Sequence, residues 1–332
     1  MNILVTGGAG YIGSHAVRHL IQQGHKVVVI DNLSTGHREA IAPEACFVQG
    51  NVSDENLVKE VLINNSIDAV MHFAAHIEVA ESVEKPYKYY ANNFSAALSF
   101  IKYICDFGIQ RFVFSSTAAV YGNPVETPIK ETHQRAPLNP YGKSKMMVED
   151  AIHDFARAAN LGFAVLRYFN VAGAHPDGDI GEAHQPESHL IPRVLQSAMS
   201  SQVVLPIYGT DYPTHDGTCV RDYVHVQDLV RAHSLALEAI KPGQGQVYNL
   251  GSENGFSVLE VIQACQKVTG ASISVEKYPR RAGDAATLVA SSEKIRNDLG
   301  WKPQYPDVTT IIEHAWKWHQ KHPHGYALQN EQ

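Results

Sequence analysis

The sequence predicts an α/β protein: a doubly wound parallel sheet joined to a second, smaller α/β region. Short β-branched apolar runs alternate with helical periodicity, a glycine-rich turn follows the first run directly, and the rhythm changes after about residue 170. The strand-like runs are NILVT (2–6), KVVVI (26–30), DAVMHF (68–73), RFVFS (111–115) and FAVLRY (163–168). Each is a nearly continuous apolar block, as a parallel strand covered on both faces requires. Helical patterns lie between them. In 86–105, Tyr90, Phe94, Ala97, Ile101 and Ile104 recur at spacings of 4, 3, 4 and 3, with Pro86 suited to the first turn. Strands alternating with helices imply right-handed crossovers and a doubly wound sheet. The segment 170–189 is rich in Gly, Pro and His, has no period, and reads as a long loop. Helices are expected near 189–201 and 226–240. The resulting division is 1–170 and 171–332, with a soft boundary, because the segment near 221–250 has the makings of an element that packs back on the first part.

Composition narrows the function classes. The chain has 332 residues, 44% hydrophobic and 18% charged, with a formal net charge of -7. No Lys/Arg run stands out, which argues against a nucleic-acid or membrane partner. No apolar run is long enough to span a bilayer, and no basic leader precedes NILVT. Cys46, Cys105, Cys219 and Cys265 lie far apart without a Cys-x-x-Cys pair. They read as reduced, mostly buried thiols of a cytoplasmic protein.

The first strand ends in a phosphate cradle. VTGGAGYIGSH (5–15) follows strand 2–6 at once and opens a helix. Gly7 and Gly8 allow the tight turn, Gly10 lets backbone approach a pyrophosphate, and Gly13 lets helix and strand pack closely. The helix N-terminus presents free N–H groups and the positive end of its dipole. Asp31 ends the second strand, 18 residues past Gly13. A carboxylate there accepts from a ribose diol and repels a 2′-phosphate, so NAD is expected rather than NADP.

NPYGKSK (139–145) supplies the reacting group. Asn139 caps a helix and Pro140 takes its first position. At 100° per residue, Tyr141, Lys145, Val148, Ile152, Phe155 and Ala159 fall on one stripe. Free tyrosine titrates near 10, and bringing it to about 7 takes about 4 kcal/mol of preference for the phenolate. The Lys145 ammonium beside it is expected to supply much of that, giving a tyrosine base. FSSTAAVYG (114–122) places Ser115, Ser116 and Thr117 at a strand's carboxyl end, where ligands bind in such sheets. Thr117 is the expected partner of the reacting hydroxyl, and Ser116 reads as satisfying strand-end backbone.

TGGAGYIGSH, DNLS, HFAA, ESVEKP, FSSTAAVYG, PYGKSK, LRYFNVAGAHPDGDIGE, DGTCVRDYVHV and YNLG together resemble the extended short-chain dehydrogenase/reductase family. Within it they resemble the UDP-glucose 4-epimerases, from residue 2 to the WHQKHPHGY tail. The resemblance implies a Rossmann domain that binds NAD and a smaller domain that binds a UDP-hexose. It places Gly7, Gly10, Tyr11, Ile12 and Gly13 on the pyrophosphate and Asp31, Asn32 and Ser34 around the adenosine. Asn51 and Val52 then lie by the adenine, and Phe73, Ala74 and Ala75 line the cofactor. Asn92, Ser115, Thr117, Tyr141, Lys145 and Tyr168 lie near the ribose and nicotinamide. Phe169 and Asn170 stand where sugar and nicotinamide meet, and His189 and Leu190 match a substrate position commonly Asn-Leu. Pro206, Ile207 and Tyr208 flank the uridine, Arg221 and Arg281 hold the diphosphate, and Asp284 the uridine ribose. The implied activity interconverts UDP-glucose and UDP-galactose by reversible oxidation at C4, with Tyr141 as base. A homodimer is implied, with helices 86–107 and 140–160 as its candidate interface.

Three positions depart from the family pattern. Asn51 replaces the usual Asp and is expected to accept one hydrogen bond from adenine. Ile77 replaces a Lys. Leu288 is intermediate between the large and small residues that track tolerance of N-acetylated sugars, so their use is left open. The alternatives are a 4,6-dehydratase, a net dehydrogenase and a non-catalytic NAD-sensing protein. Ala118 and Ala119 after Thr117 lack the acid/base pair of a dehydratase, and the intact Tyr141/Lys145 pair argues against a mere sensor. No metal site is expected: His72 and His76 lie on strand end and loop without a completing carboxylate or Cys set. HQKHPHGY (319–326) reads as a polar C-terminal segment, and Trp316 and Trp318 as packing residues.

Overall fold

The β-branched runs do line up in parallel. A computed structural model describes residues 1–200, 204–281 and 284–326. In chain order its strands are β1 (Asn2–Thr6), β2 (Lys26–Asp31), β3 (Cys46–Gln49), β4 (Ala69–His72), β5 (Arg111–Thr117), β6 (Gly162–Tyr168) and β7 (Asn170–Ala172). They continue as β8 (Leu205–Tyr208), β9 (Val220–His225), β10 (Gly245–Leu250), β11 (Gly255–Ser257), β12 (Val275–Tyr278) and β13 (Thr287–Leu288). The helices are α1 (Tyr11–Gln22), α2 (Glu55–Asn65), α3 (Val79–Glu84), α4 (Pro86–Tyr89), α5 (Ala97–Asp106) and α6 (Pro140–Ala159). They continue as α7 (Leu190–Met199), α8 (Val226–Ala239), α9 (Val258–Thr269), α10 (Glu293–Leu299) and α11 (Val308–Lys321).

Seven strands form the main sheet in the order β10-β6-β5-β4-β1-β2-β3, all parallel. Alternate side chains face opposite layers. Ile3, Val5, Val29 and Met71 pack against Val17 and Leu20 of α1 and Leu229 and Leu237 of α8. Leu4, Val28, Val70 and Phe112 pack against Val58 of α2, Phe100 and Ile104 of α5, and Ile152 of α6. The order reverses between β1 and β4, which opens a crevice at the strands' carboxyl ends. Two strands escape the sequence pattern. β3 is half exposed at one edge, and β10 joins the other edge after a long excursion from β6. The smaller layer holds β9 flanked by β11, β13 and β7, the β8–β12 pair, and a core of α7, α9 and α11.

The helix expected over 86–105 is continuous in direction but not in winding. Between α4 and α5, Tyr90–Ala96 adopts the wider π-helical turn. The wider turn rotates the face, so Tyr89 and Asn93 are buried where Tyr90 and Phe94 are only half-buried. In α6, Asn139 Oδ1 accepts from the Gly142 amide at 2.9 Å and Pro140 starts the helix. Its stripe drifts: Ala156 and Glu149 are buried, whereas Ala159 is exposed and Phe155 half-buried. Among the cysteines, Cys219 and Cys265 are buried, but Cys46 is exposed because it lies on the edge strand β3. The C-terminal polar segment is packed rather than trailing. The His322 ring stacks on Trp318 at 3.8 Å, and the Tyr326 hydroxyl donates to the Gly181 carbonyl at 3.1 Å.

Candidate active site

The glycine turn is shaped by what a side chain would strike. Gly7 sits at φ 74°, and a Cβ there would stand 2.5 Å from the Ala74 amide nitrogen. One on Gly13 would overlap the Gly7 carbonyl oxygen. The turn therefore lies tight on the end of β4, where the Phe73 and Ala74 amides donate to the Thr6 carbonyl at 2.9 and 3.1 Å. Gly10 has no side chain to cap α1, so the Tyr11, Ile12 and Gly13 amides keep the donor capacity that a pyrophosphate takes up. These residues fit a dinucleotide.

Asp31 does more than end a strand. Its two carboxylate oxygens accept from Ala9 N at 2.9 Å and Leu33 N at 2.8 Å, which clamps the glycine turn to β2. Each oxygen retains a second acceptor site for a ribose diol. Asn32 Oδ1 accepts from Ser34 N at 3.0 Å. Asn51 departs from expectation: its Oδ1 accepts from both the amide and the hydroxyl of Ser53, each at 2.9 Å. Both lone pairs are engaged, so toward an adenine this side chain offers N–H donors rather than an acceptor. Val52 is buried in the α2 layer. Asn92 lies in the π-helical turn and donates to Asn93 Oδ1 at 3.0 Å, while Asn93 ties that turn to the His76 backbone near Ala75.

The three residues expected to carry the chemistry are brought together at the ends of β5 and the start of α6. Thr117 closes β5, and its oxygen accepts from Ala119 N at 3.1 Å. Its hydroxyl proton is then available to the Tyr141 oxygen, to which Thr117 is hydrogen-bonded. Lys145 Nζ donates to the Ser115 carbonyl at 2.8 Å and lies 4.9 Å above the Phe114 ring. Tyr141 and Lys145 are 8% and 3% exposed. Tyr168 contacts Ser115, whose hydroxyl pairs with His233 Nε2 at 3.1 Å.

The expected electrostatics of the pair are corrected by the structure. Burial pushes the Tyr141 phenol above its ordinary value, with the Thr117 hydrogen bond opposing the shift. The Lys145 ammonium is directed at the Ser115 carbonyl and the Phe114 ring face. Burial instead pushes Lys145 itself down to about 7, against the opposing pull of Glu149. In a low-dielectric site each partner favours its neutral form. Within the protein alone, burial therefore opposes the charged form of both side chains.

Behind this trio lies a buried polar network absent from the sequence reading. Ser116 Oγ donates to Glu149, and Arg167 Nη2 pairs with Glu149 at 2.6 Å. Arg167 also donates to the Tyr121 hydroxyl at 2.9 Å, which donates to Asn249 at 2.6 Å. The network joins α6 to β5, β6 and β10, and so fixes the helix that carries Tyr141. Part of its sequence signal was available: Arg167 is a charge inside the otherwise apolar run of β6.

Across the crevice, Phe169 packs with Ala118, Val120 and Leu288. Asn170 begins β7 opposite Tyr223 of β9. Arg221 projects from β9 with Nη2 3.8 Å from Asp284, and Arg281 Nε donates to the same carboxylate at 3.0 Å. The Arg281 guanidinium lies 4.9 Å over the Tyr208 ring at the end of β8, which also carries Pro206 and Ile207. Tyr208, Arg221, Arg281 and Asp284 thus form one cluster. His189 and Leu190 stand where α7 opens, and His189 Nδ1 faces Glu182 at 2.8 Å. Asp222, unread in the sequence, is buried and accepts from Ser252, Glu253 and Ala290 backbone amides. It pins β9 to the loops beside it, and burial raises its carboxyl to about 6.

Residues 3–251 match the NAD dependent epimerase/dehydratase family. The chain belongs to that family. The UDP-glucose 4-epimerase of Lacticaseibacillus casei is 52% identical over 331 residues, covering 99% of this chain and 100% of that one. A crystal structure of a UDP-glucose 4-epimerase superposes with a TM-score of 0.94 at 50% identity, covering 98% of this chain and 99% of that one. The epimerase of Bifidobacterium longum, solved in complex with NAD+ and UDP, gives a TM-score of 0.94 at 38% identity, covering 98% and 100%. The glycine cradle and the clamped Asp31 are the parts of this chain that answer to the family's NAD dependence.

Proposed function

We propose that this family member interconverts UDP-glucose and UDP-galactose by reversible oxidation at the sugar C4. The observation that carries the reading is the Thr117–Tyr141–Lys145 group, buried at the carboxyl ends of the parallel strands beside the glycine cradle. The glycine turn and Asp31 would hold NAD, which would supply a reversible hydride acceptor at C4 and a positive ring that favours the phenolate. Tyr141 accepts the proton of the 4-hydroxyl and later gives it back, with Thr117 donating to the same oxygen. Lys145, held on the Ser115 carbonyl, fixes the turn of the helix that carries Tyr141 against the end of β5. Inversion needs the ketone to present its other face, so the hexose turns while the nucleotide stays. Tyr208, Arg221, Arg281 and Asp284 anchor the uridine diphosphate, with guanidinium forks suited to phosphate oxygens. Phe169 and Leu288, packed in one apolar cluster, are the side chains the hexose would turn against.

The chain is divided here into 1–170, which holds the cofactor, and 171–332, which holds the UDP-sugar, with α8 and β10 packed on the first part's sheet. A cytoplasmic homodimer through the 86–107 and 140–160 helices completes the reading, supported by the packing of α5 against α6 in one layer. Purified protein given UDP-galactose is expected to yield UDP-glucose with no lasting rise in NADH absorbance. Accumulating NADH, or a dehydrated 4-keto product, would overturn it.

A further inference from the structure

The loop between β7 and α7 gathers four donor side chains, of which only His189 stands at a position the family resemblance gives to substrate. One ligand atom each from Glu182, His184, Glu187 and His189 lies within 4.8 Å of all the others. His184 Nδ1 is 3.2 Å from a Glu182 oxygen and 3.6 Å from Glu187 Oε2. His189 Nδ1 is 2.8 Å from Glu182 and 3.2 Å from Glu187 Oε1. Donors around a tetrahedral ion with bonds of about 2.0–2.2 Å stand about 3.3–3.6 Å apart. Three of the four contacts are close to that spacing of an ion's shell, and the shorter His189–Glu182 contact is that of an ion pair.

Hydrogen bonding decides between them. Among the described residues, His184 Nδ1 and Glu187 Oε2 are both buried and neither makes a hydrogen bond, although they face each other. The Glu187 side chain is 4% exposed. A buried charged oxygen held only by a 3.6 Å ion contact is costly, and a cation between the two atoms satisfies both at once. The neighbouring group of His175, Asp177 and Asp179 offers no such argument, because it is more open and Arg18 occupies its carboxylates.

We propose that Glu182, His184, Glu187 and His189 bind a divalent zinc-class cation in a closed, structural site. Two imidazoles with two carboxylates suit such an ion, whereas calcium and magnesium favour shells of oxygen alone. The ion clips a loop on which three other elements rest. The Glu182 carbonyl accepts from Trp318 Nε1 of α11 at 3.2 Å, and the Tyr11 hydroxyl of α1 donates to the Gly173 carbonyl at 2.7 Å. His189 itself precedes α7. Its Nδ1 is given to the ion, which leaves only Nε2 for any substrate contact.

The test uses untagged, full-length protein stripped with a chelator and titrated with zinc and, separately, cobalt. Elemental analysis is expected to give one ion per chain, cobalt to give the intense visible bands of a tetrahedral centre, and the melting temperature to rise on metal addition. Glu187→Gln keeps the shape of the side chain and should weaken binding by about 100-fold or more, since even outer partners of a metal site are worth about 10–100-fold. His324→Ala removes an exposed histidine and should leave stoichiometry unchanged. Substoichiometric binding, octahedral cobalt spectra, or equal affinity in Glu187→Gln would overturn the assignment and leave a metal-free ion-pair cluster.

Discussion

Thr117, Tyr141 and Lys145 stand on the carboxyl ends of a seven-stranded parallel sheet and are each under a tenth exposed, whereas the Arg281 side chain across the crevice is 58% exposed. The first group is held by backbone: a strand end, a capped helix start, a carbonyl that receives the lysine. The second is held by charges on side chains, with one carboxylate shared by two guanidinium groups. Proton transfer needs fixed distances and a low dielectric, so it is built into the sheet. Nucleotide anchoring needs a fork that can change partners from carboxylate to phosphate, so it is built on the rim.

The sharpest break of that comparison is Tyr141→Phe. Turnover should fall by about 1,000-fold or more, within the range that general base catalysis supplies, while calorimetric UDP affinity stays within about threefold. Equal losses in both would mean that the two regions are not separable. Next in size is Glu149→Leu, which strands the buried Arg167 and should destabilise the fold by about 3–5 kcal/mol in chemical denaturation. A change under about 1 kcal/mol would mean that the network does not hold α6. Arg281→Ala should raise the UDP-sugar KM about tenfold with kcat nearly kept, as expected for binding that is uniform between ground and transition states. A kcat loss without a KM change would move Arg281 to the chemical side.

A further effect concerns pH. Unfolded, Lys145 titrates near 10.4; folded, it is pushed to about 7. Between those values the unfolded chain binds the extra proton, so stability rises with pH there. The cost of burying Lys145 is complete below about pH 7 and fades toward about pH 10. Lys145→Met should therefore raise the melting temperature, relative to the parent, more at about pH 6 than at about pH 9.5. A difference that is flat with pH would show Lys145 to be solvated.

The same division explains what was legible in the sequence. Parallel strands announce themselves as apolar blocks, and the glycine turn and the Asn139-Pro140 helix start are local signals, so β1, β2, β4, β5, β6 and the Tyr141 helix could be read directly. Edge elements could not: β3 is half exposed, and β10 is placed by a pairing with β6 that local composition does not encode. The π-helical turn at Tyr90–Ala96 escaped because a 4-3-4-3 pattern assumes constant winding. The Tyr141 titration was misjudged because spacing puts a lysine near a phenol but does not say where its ammonium points. Glu182 to His189 escaped because their convergence is made by a loop's path, which has no period.

The central claim, that hydride leaves C4 and returns to the same carbon, is tested most directly with UDP-galactose deuterated at C4. The account predicts UDP-glucose that keeps the deuterium at C4 and takes none from solvent. Loss of the label to water, or its replacement by solvent hydrogen at C4, would contradict it.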